Sequence, residues 1–592
     1  MDVVAWDHWL YLIVPFAVYL LIVLGLVLAG EAGDKTDIVG VLVHPISSSL
    51  QRLTGYPGWS MAGVLTGLFL LGVGMTGLYW DVAFHIDYGR DEILFTPSHT
   101  MIVLALGGLL VTAGMVVLFA TLEHADAGRR IWGLQVPWSA LALGAMGLGG
   151  LVAFPLDELW HRAFGIDVTL WSPTHLMLVG AGSLATVALW LMLREARPRA
   201  VPTLLGRIIE VVLLGAILTG LSTLQGEFDF GVPQFQVLYL PVLMAAASGF
   251  ALVLARVALG RGGAAKALLA FLVLRSLVAL LLGGALNHTV PRFPLYLAAM
   301  VAVEAVGWWL GTERRLRFAL VSGALVGTFG LAGEIIWIEA LGWFHVSAAV
   351  LPKALILAPL AAGAAGVLAV GVGRVATGGH RVPPAAFAGA LLVLLVTFAY
   401  PLPRNVGEVD AVIRLQPVGA GEEANVQVEL QPADAAVGAS AFGLVSWQGG
   451  GRVLAELEEV GPGRYVSASP VPITGSWKTM VGLQRGDQVM AAPIYLPADP
   501  EIGASAVPAQ PVRETSFVRN TEVLLREAHD GPAWPAALSY VSLALVVSAW
   551  VALLGLAAVR ISGSSGGTPP PPAPAPPAPT ASVRRPQLQR TG

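Results

Sequence analysis

Long apolar runs separated by short polar loops set the pattern of this chain. About thirteen of them approach the roughly 20-residue length that a transmembrane helix needs. They lie near residues 9–30, 59–80, 98–120, 138–156, 173–194, 207–225, 236–256, 267–286, 293–312, 318–340, 349–373, 385–402 and 535–560. Residues 403–533 break the pattern. There, apolar and polar side chains alternate, at Val426, Val428 and Leu430 and again around Trp477, Thr479, Val481 and Leu483, with Gly461, Pro462 and Gly463 among the turn residues. A period of two punctuated by Gly and Pro predicts short antiparallel strands. A segment of about 100 residues of this kind suits an immunoglobulin-like β-sandwich. Residues 561–592 are rich first in Ser and Gly, then in Pro and Ala. They cannot bury a core, which predicts a disordered tail.

The short loops sort by charge. One alternating set carries Lys35 and Arg52; Arg129 and Arg130; Arg194, Arg197 and Arg199; Arg256, Arg261 and Lys266; Arg314, Arg315 and Arg317; Arg374 and Arg381. The other carries only Arg90, Arg162, Arg292 and Lys353. The positive-inside rule makes the first set cytoplasmic and the N-terminus extracytoplasmic. Met1 to Trp9 contains no Lys or Arg and no small-residue cleavage site, so no removed signal peptide is expected there. The fold class expected is therefore a polytopic α-helical protein of the plasma membrane with about 13 transmembrane helices. A helical bundle occupies 1–402, an extracytoplasmic β-sandwich 403–533, a last helix 534–560 and a cytoplasmic tail 561–592.

Composition narrows the chemistry. Of 592 residues only 12% are charged, and there is no cysteine. The mean hydropathy is +0.72. These values point away from a soluble enzyme, and they exclude disulfides, thiolate metal sites and cysteine nucleophiles. A net charge of −4 without a basic patch gives no reason to expect nucleic acid as a partner. The partners expected are the lipid bilayer and, through the sandwich, other membrane subunits or an extracytoplasmic protein.

Two stretches of the bundle, about 59–120 and 138–194, contain the same motif. Asp81, His85, Gly89, Asp91, Leu94, Pro97 and His99 recur as Asp157, His161, Gly165, Asp167, Leu170, Pro173 and His175, at a constant offset of 76. Asp81 and His85, like Asp157 and His161, are spaced i, i+4 and share one face if their helices run past the bilayer edge. Thr96-Pro97 and Ser172-Pro173 suit the N-cap and first position of the next helix. His99 and His175 then stand in a first turn, where the helix dipole favours neutral, metal-binding imidazole. Each copy thus offers one carboxylate and two imidazoles, a set suited to copper, iron or zinc. The plainer alternative is a polar loop whose groups satisfy one another. Asp91 and Asp167 are candidates for fixing an imidazole through its other ring nitrogen, or are simply turn residues. Met101 and Met177 recur as well, two residues after a His, and read as packing.

A second polar set lies along the later spans: Glu227, Asp229, His288, Glu334, Glu339 and His345, with Glu304 deeper, at mid-span. Asp229, His288, Glu304, Glu334, Glu339 and His345 are candidates for an ion or proton path, with interhelical hydrogen bonding as the alternative.

The Asp-x3-His motif, with a further His opening the next helix, resembles the membrane metal site of the C subunit of particulate methane and ammonia monooxygenases. The resemblance covers 81–99 and 157–175 and implies copper as the metal and an oxidoreductase activity. Gly463, Tyr465, Gly475, Trp477 and Val481 give 410–495 a resemblance to small periplasmic modules of the FixH and copper-resistance type. That stretch has no His and only Met480 and Met490, so docking rather than metal binding is expected of it. Three functions are carried forward: metal-dependent oxidation of a small or apolar substrate, transport or copper handling, and a structural or assembly role.

Overall fold

The computed structural model describes residues 38–90, 95–165, 169–198, 201–341, 346–377, 382–402, 407–528 and 531–563, with a few isolated positions besides. Most of the expected span at 9–30 and most of the expected tail lie outside the described residues. So do Asp91, Asp167 and His345.

The helices are α1 (Ile38–Thr54), α2 (Gly58–Asp87), α3 (Pro97–Leu122), α4 (Trp138–Phe164), α5 (Pro173–Glu195), α6 (Leu204–Asp229), α7 (Tyr239–Leu259), α8 (Gly263–Ala285), α9 (Leu297–Trp309), α10 (Arg315–Leu341), α11 (Ala348–Ala376), α12 (Pro384–Ala399) and, after the β domain, α13 (Ala533–Gly563). Among the described residues ten are long and apolar enough to cross a membrane, and α9 and α12 are shorter apolar helices. The chain is a multi-pass membrane protein. α1 falls outside the expected spans, because its apolar residues are interrupted. Val41, Leu42, Ile46 and Leu53 are exposed while Val43 and Ser47 are buried, the mark of a helix covered on one side only. Lipid tails are as apolar as the helices, so close packing of small residues holds such bundles together. Where α7 crosses α11, for example, a Cβ on Gly249 would lie 2.8 Å from the Ala362 Cα.

The β domain contains β3 (Asp410–Val418), β4 (Glu423–Gln431), β5 (Ala441–Trp447), β6 (Arg452–Gly461), β7 (Arg464–Ser467), β8 (Val471–Pro472), β9 (Lys478–Arg485), β10 (Gln488–Tyr495), β11 (Val512–Ser516) and β12 (Val518–Arg519), following a small hairpin of β1 (Arg129–Ile131) and β2 (Leu134–Val136) in the bundle. Two separate sheets were expected. The strands instead form one antiparallel sheet in the order β11-β3-β4-β7-β6-β5-β9-β10-β12, with β8 on β4. Its end strands, β11 and β12, are joined through Phe517 alone, so the sheet is nearly closed. Alternation specifies which side chains turn inward but not whether a sheet splits or curls. Here the register shifts at Glu459/Gly461 and Pro493/Tyr495 accompany the bend. Val426, Val428, Leu430, Val481, Leu483 and Met490 fill the interior.

This domain sits on one end of the bundle. Backbone donors of Gln448 and Gly450 reach the carbonyls of Ile86 and Asp87. The side chain of Gln484 accepts from Val237 N–H at 3.0 Å and donates to the Phe235 carbonyl at 3.2 Å. Because the helices alternate in direction, the ends of α2, α4, α6, α8 and α10 and the starts of α3, α5, α7, α9 and α11 lie at this β-domain end. The Arg129/Arg130 hairpin, Arg261 and Arg314 in loops, Arg194 in the last turn of α5 and Lys266 in the first turn of α8 lie at the other end. The described members of the two charge sets therefore separate onto the two ends.

Candidate metal centres

Both copies of the repeat close into the expected groups. α2 continues to Asp87 and α4 to Phe164, so each Asp-x3-His pair is helical. Thr96 caps α3, accepting from His99 N–H at 3.3 Å, and Ser172 caps α5, accepting from His175 N–H at 3.2 Å. The ligand atoms of Asp81, His85 and His99 all lie within 4.8 Å of one another, and so do those of Asp157, His161 and His175. Each group can hold a metal ion.

The two groups share a plan. The Asp81 carboxylate stands 3.5 Å from His85 Nε2 and 3.1 Å from His99 Nε2. The Asp157 carboxylate stands 3.7 Å from His161 Nε2 and 3.2 Å from His175 Nε2. A hydroxyl one residue before the second His aims each carboxylate: Ser98 Oγ donates to Asp81 Oδ1 at 2.8 Å, and Thr174 Oγ1 to Asp157 Oδ1 at 2.5 Å. Ser98 and Thr174, which directly follow the Pro that opens each helix, are functional residues beyond those expected from the sequence.

One imidazole of each group is oriented by a backbone carbonyl. His85 Nδ1 lies 2.8 Å from the Gly89 oxygen, and His175 Nδ1 2.5 Å from the Thr169 oxygen. A carbonyl only accepts, so the proton is on Nδ1. In the neutral ring the Nε2 lone pair then faces a carboxylate. Two acceptors facing each other require a cation between them, either a proton on Nε2 or a metal. The same Nδ1–H to carbonyl bond is how metal-bound histidines are commonly held. His161 adds a second sign: its Nε2 is buried without a hydrogen-bond partner. Buried nitrogen of this kind is costly unless something meets it. The donors present fit a metal ion.

Glycine ends both helices of the repeat. Gly89 has φ +107° and Gly165 φ +85°, a region that favours glycine. A Cβ on Gly165 would lie 1.9 Å from the Glu527 carbonyl oxygen, and one on Gly89 would lie 3.3 Å from the Gln448 side chain. Chain segments of the β domain thus close over both loops. Glu227 braces the second loop, accepting from Thr169 Oγ1 at 2.8 Å and Leu170 N–H at 3.0 Å. It was singled out in the sequence without this role.

Both groups line one cavity of about 1070 Å³, walled by α2, α3, α4, α5, α6 and α8, with Glu501 and Ile502 of the β domain at its mouth. Among the described residues, the other polar candidates line no part of it. Asp229 accepts from Tyr79 Oη at 3.0 Å and pairs with Arg275. His288 is saturated, with Nδ1 2.9 Å from Asp87 and Nε2 accepting from Trp80 at 3.1 Å. Glu334 accepts from Leu295 N–H at 2.9 Å and from Tyr296 N–H, and Glu339 from Val346 N–H at 2.8 Å. Glu304, expected at mid-span, stands at the end away from the β domain. There it accepts from Gly262 and Ala264 N–H at 3.0 and 2.8 Å, because α9 is short and meets the start of α8. Met480 and Met490 are both buried in the β domain.

Compared with protein-family models, with curated proteins and with solved structures, the chain matches none.

Proposed function

We propose that this chain is a plasma-membrane metalloprotein that carries two copper ions, one in each Asp/His group, and uses them in redox chemistry. Asp81, His85 and His99 hold one ion, and Asp157, His161 and His175 the other. Copper bound by two imidazoles and a carboxylate would supply one-electron exchange and an open position for a small molecule. The observation that carries the reading is the buried His161 Nε2, 3.7 Å from the Asp157 carboxylate and without a hydrogen-bond partner, within a set of three donors. The basic loops gathered at the far end support an orientation in which the β domain and both groups face outward. Oxidation is favoured over transport because Asp229, His288, Glu304, Glu334 and Glu339 have separate partners and stand away from the cavity that the metal groups line.

Elemental analysis of the purified chain tests this, with copper spectroscopy to identify the ion. About two equivalents are expected in the wild type, about one in His85→Ala or His161→Ala, and none in the double variant. Equal metal in wild type and a folded double variant would sink the proposal.

A further inference from the structure

The cavity runs far below the metal groups. Along α2 its lining extends from Asp81 to Leu68, about 20 Å at 1.5 Å per residue. Its depth is apolar. Leu68, Leu71, Leu106, Leu178, Val179 and Leu274 wall it. The hydroxyls at that depth are used up on backbone carbonyls: Ser183 donates to Gly220 at 2.6 Å, Thr186 to Ser183 at 2.6 Å, Thr219 to Gly215 at 3.0 Å and Thr223 to Thr219 at 2.9 Å. An occupant of the deep part therefore meets hydrocarbon and few free donors.

The walls also part on one side. α2 and α8 both line the cavity, yet they pack together near the β-domain end, through Tyr79, Ala83, Ile86, Val278 and Leu282. Further from that end, Gly72 of α2 lines the cavity and is itself exposed, with none of the described residues within 4 Å of a Cβ built on it. On α8, Val273 and Leu277 are exposed beside the lining residue Leu274. The mouth toward the β domain, by contrast, is charged. Arg90 there bonds Asp499 at 2.7 and 2.9 Å, Arg162 bonds Glu158 at 2.9 Å, and Glu501 pairs with Arg90 at 2.5 Å.

We infer that the slot between α2 and α8, beside Gly72 and Leu274, is a lateral portal through which a small apolar molecule dissolved in the bilayer reaches the cavity under the two Asp/His groups. The route stands on the walls of the cavity. Only its chemical consequence, delivery of an apolar substrate to metal, rests on the proposed function. Water and ions are served by the charged mouth, and apolar molecules by the slot.

The chain has no cysteine, so a single reporter thiol is clean. A Cβ on Gly182, which lines the cavity, meets only Leu71 at 3.9 Å, so Gly182→Cys fits. The full chain with this change, in lipid vesicles, is treated with benzyl methanethiosulfonate, which partitions into the bilayer, or with the trimethylammonioethyl reagent, which stays in water. The benzyl reagent is expected to modify the thiol much the faster. Adding Gly72→Trp should slow it severalfold and leave metal content unchanged. Equal or faster reaction with the cationic reagent, with no effect of Gly72→Trp, would overturn the portal. Protection from both reagents, by an acyl chain lodged in the cavity or a segment lying across the slot, would overturn it as well. Metal content is measured on the same samples. A chain without metal that still shows the benzyl route and its block keeps the portal and loses the proposed function.

Discussion

The backbone N–H of Gln448 donates to the carbonyl of Ile86 at 2.9 Å, one residue beyond His85. With Gly450 N–H on the Asp87 carbonyl at 2.9 Å and Gln448 Nε2 on the His85 carbonyl at 3.3 Å, the β5–β6 turn satisfies three successive carbonyls at the end of α2. A helix leaves its last carbonyls without intrahelical partners. Here a separate domain supplies them, at the turn that holds a metal-ligand candidate. The β domain therefore braces the first Asp/His group.

Gln448 adopts φ +64°. Gln448→Gly keeps the backbone donor in a conformation glycine accepts and loses only the side-chain bond, so metal content should stay near wild type. Gln448→Pro removes the donor and cannot adopt that φ. It should deplete the first group while the second keeps its ion. Elemental analysis of the two variants checks this, and equal metal in both would show that the turn does not brace the site.

The two loop glycines should differ. Gly165→Ala places a Cβ 1.9 Å from the Glu527 carbonyl oxygen, a backbone atom that cannot swing away. Gly89→Ala meets only the end of a glutamine side chain at 3.3 Å. Both carry the cost of a left-handed backbone, about 1–3 kcal/mol, and Gly165→Ala adds a clash. Its melting temperature should fall the further, with the second group emptied first. Indistinguishable melting curves would contradict the packing of the β domain on these loops.

Much of this was legible in the sequence. The offset of 76 picks out the two sets of three residues that the structure gathers within 4.8 Å, because i, i+4 spacing and a Thr/Ser-Pro start are local rules that tertiary packing did not override. What orients the ligands was not legible. Gly89 and Thr169 act through backbone carbonyls, which carry no residue signature. Glu227 acts across 58 positions on Thr169, a contact created only when α6 packs beside α5. Closure of the β sheet was hidden for a similar reason. A period of two reports which face is buried, not which strands meet at the ends.

The clamp at the mouth should depend on pH. Hydrogen bonds from Arg90 hold the Asp499 carboxyl below the usual carboxylate range. A lowered folded value stabilises docking above the unfolded pKa, about 4. That stability is lost as pH falls through the lowered value. Arg90→Met should therefore be less stable than wild type at neutral pH, and the gap should close in strong acid. Thermal unfolding of both proteins across that range checks it; a gap that widens on acidification would contradict the clamp.

The second group depends on a carboxylate that never touches it. Glu227 accepts from Thr169 Oγ1, Leu170 N–H and, at 3.2 Å, Gln234 N–H. The Thr169 carbonyl in turn holds His175 Nδ1. Glu227→Ala releases all three donors, so the loop loosens and His175 loses its fixed tautomer. Loss of such an outer partner weakens metal binding by roughly 10–100-fold, and only the second group should show it. Glu227→Gln keeps an acceptor for Thr169 and should fall between wild type and Ala. The first group, braced by Gln448, should keep full affinity in both variants. Metal titrations of Glu227→Ala in the His85→Ala and His161→Ala backgrounds read the two groups separately. A large loss in the His85→Ala background and none in the other is the expected pattern. An equal loss in both would mean that Glu227 supports the fold as a whole, not the site.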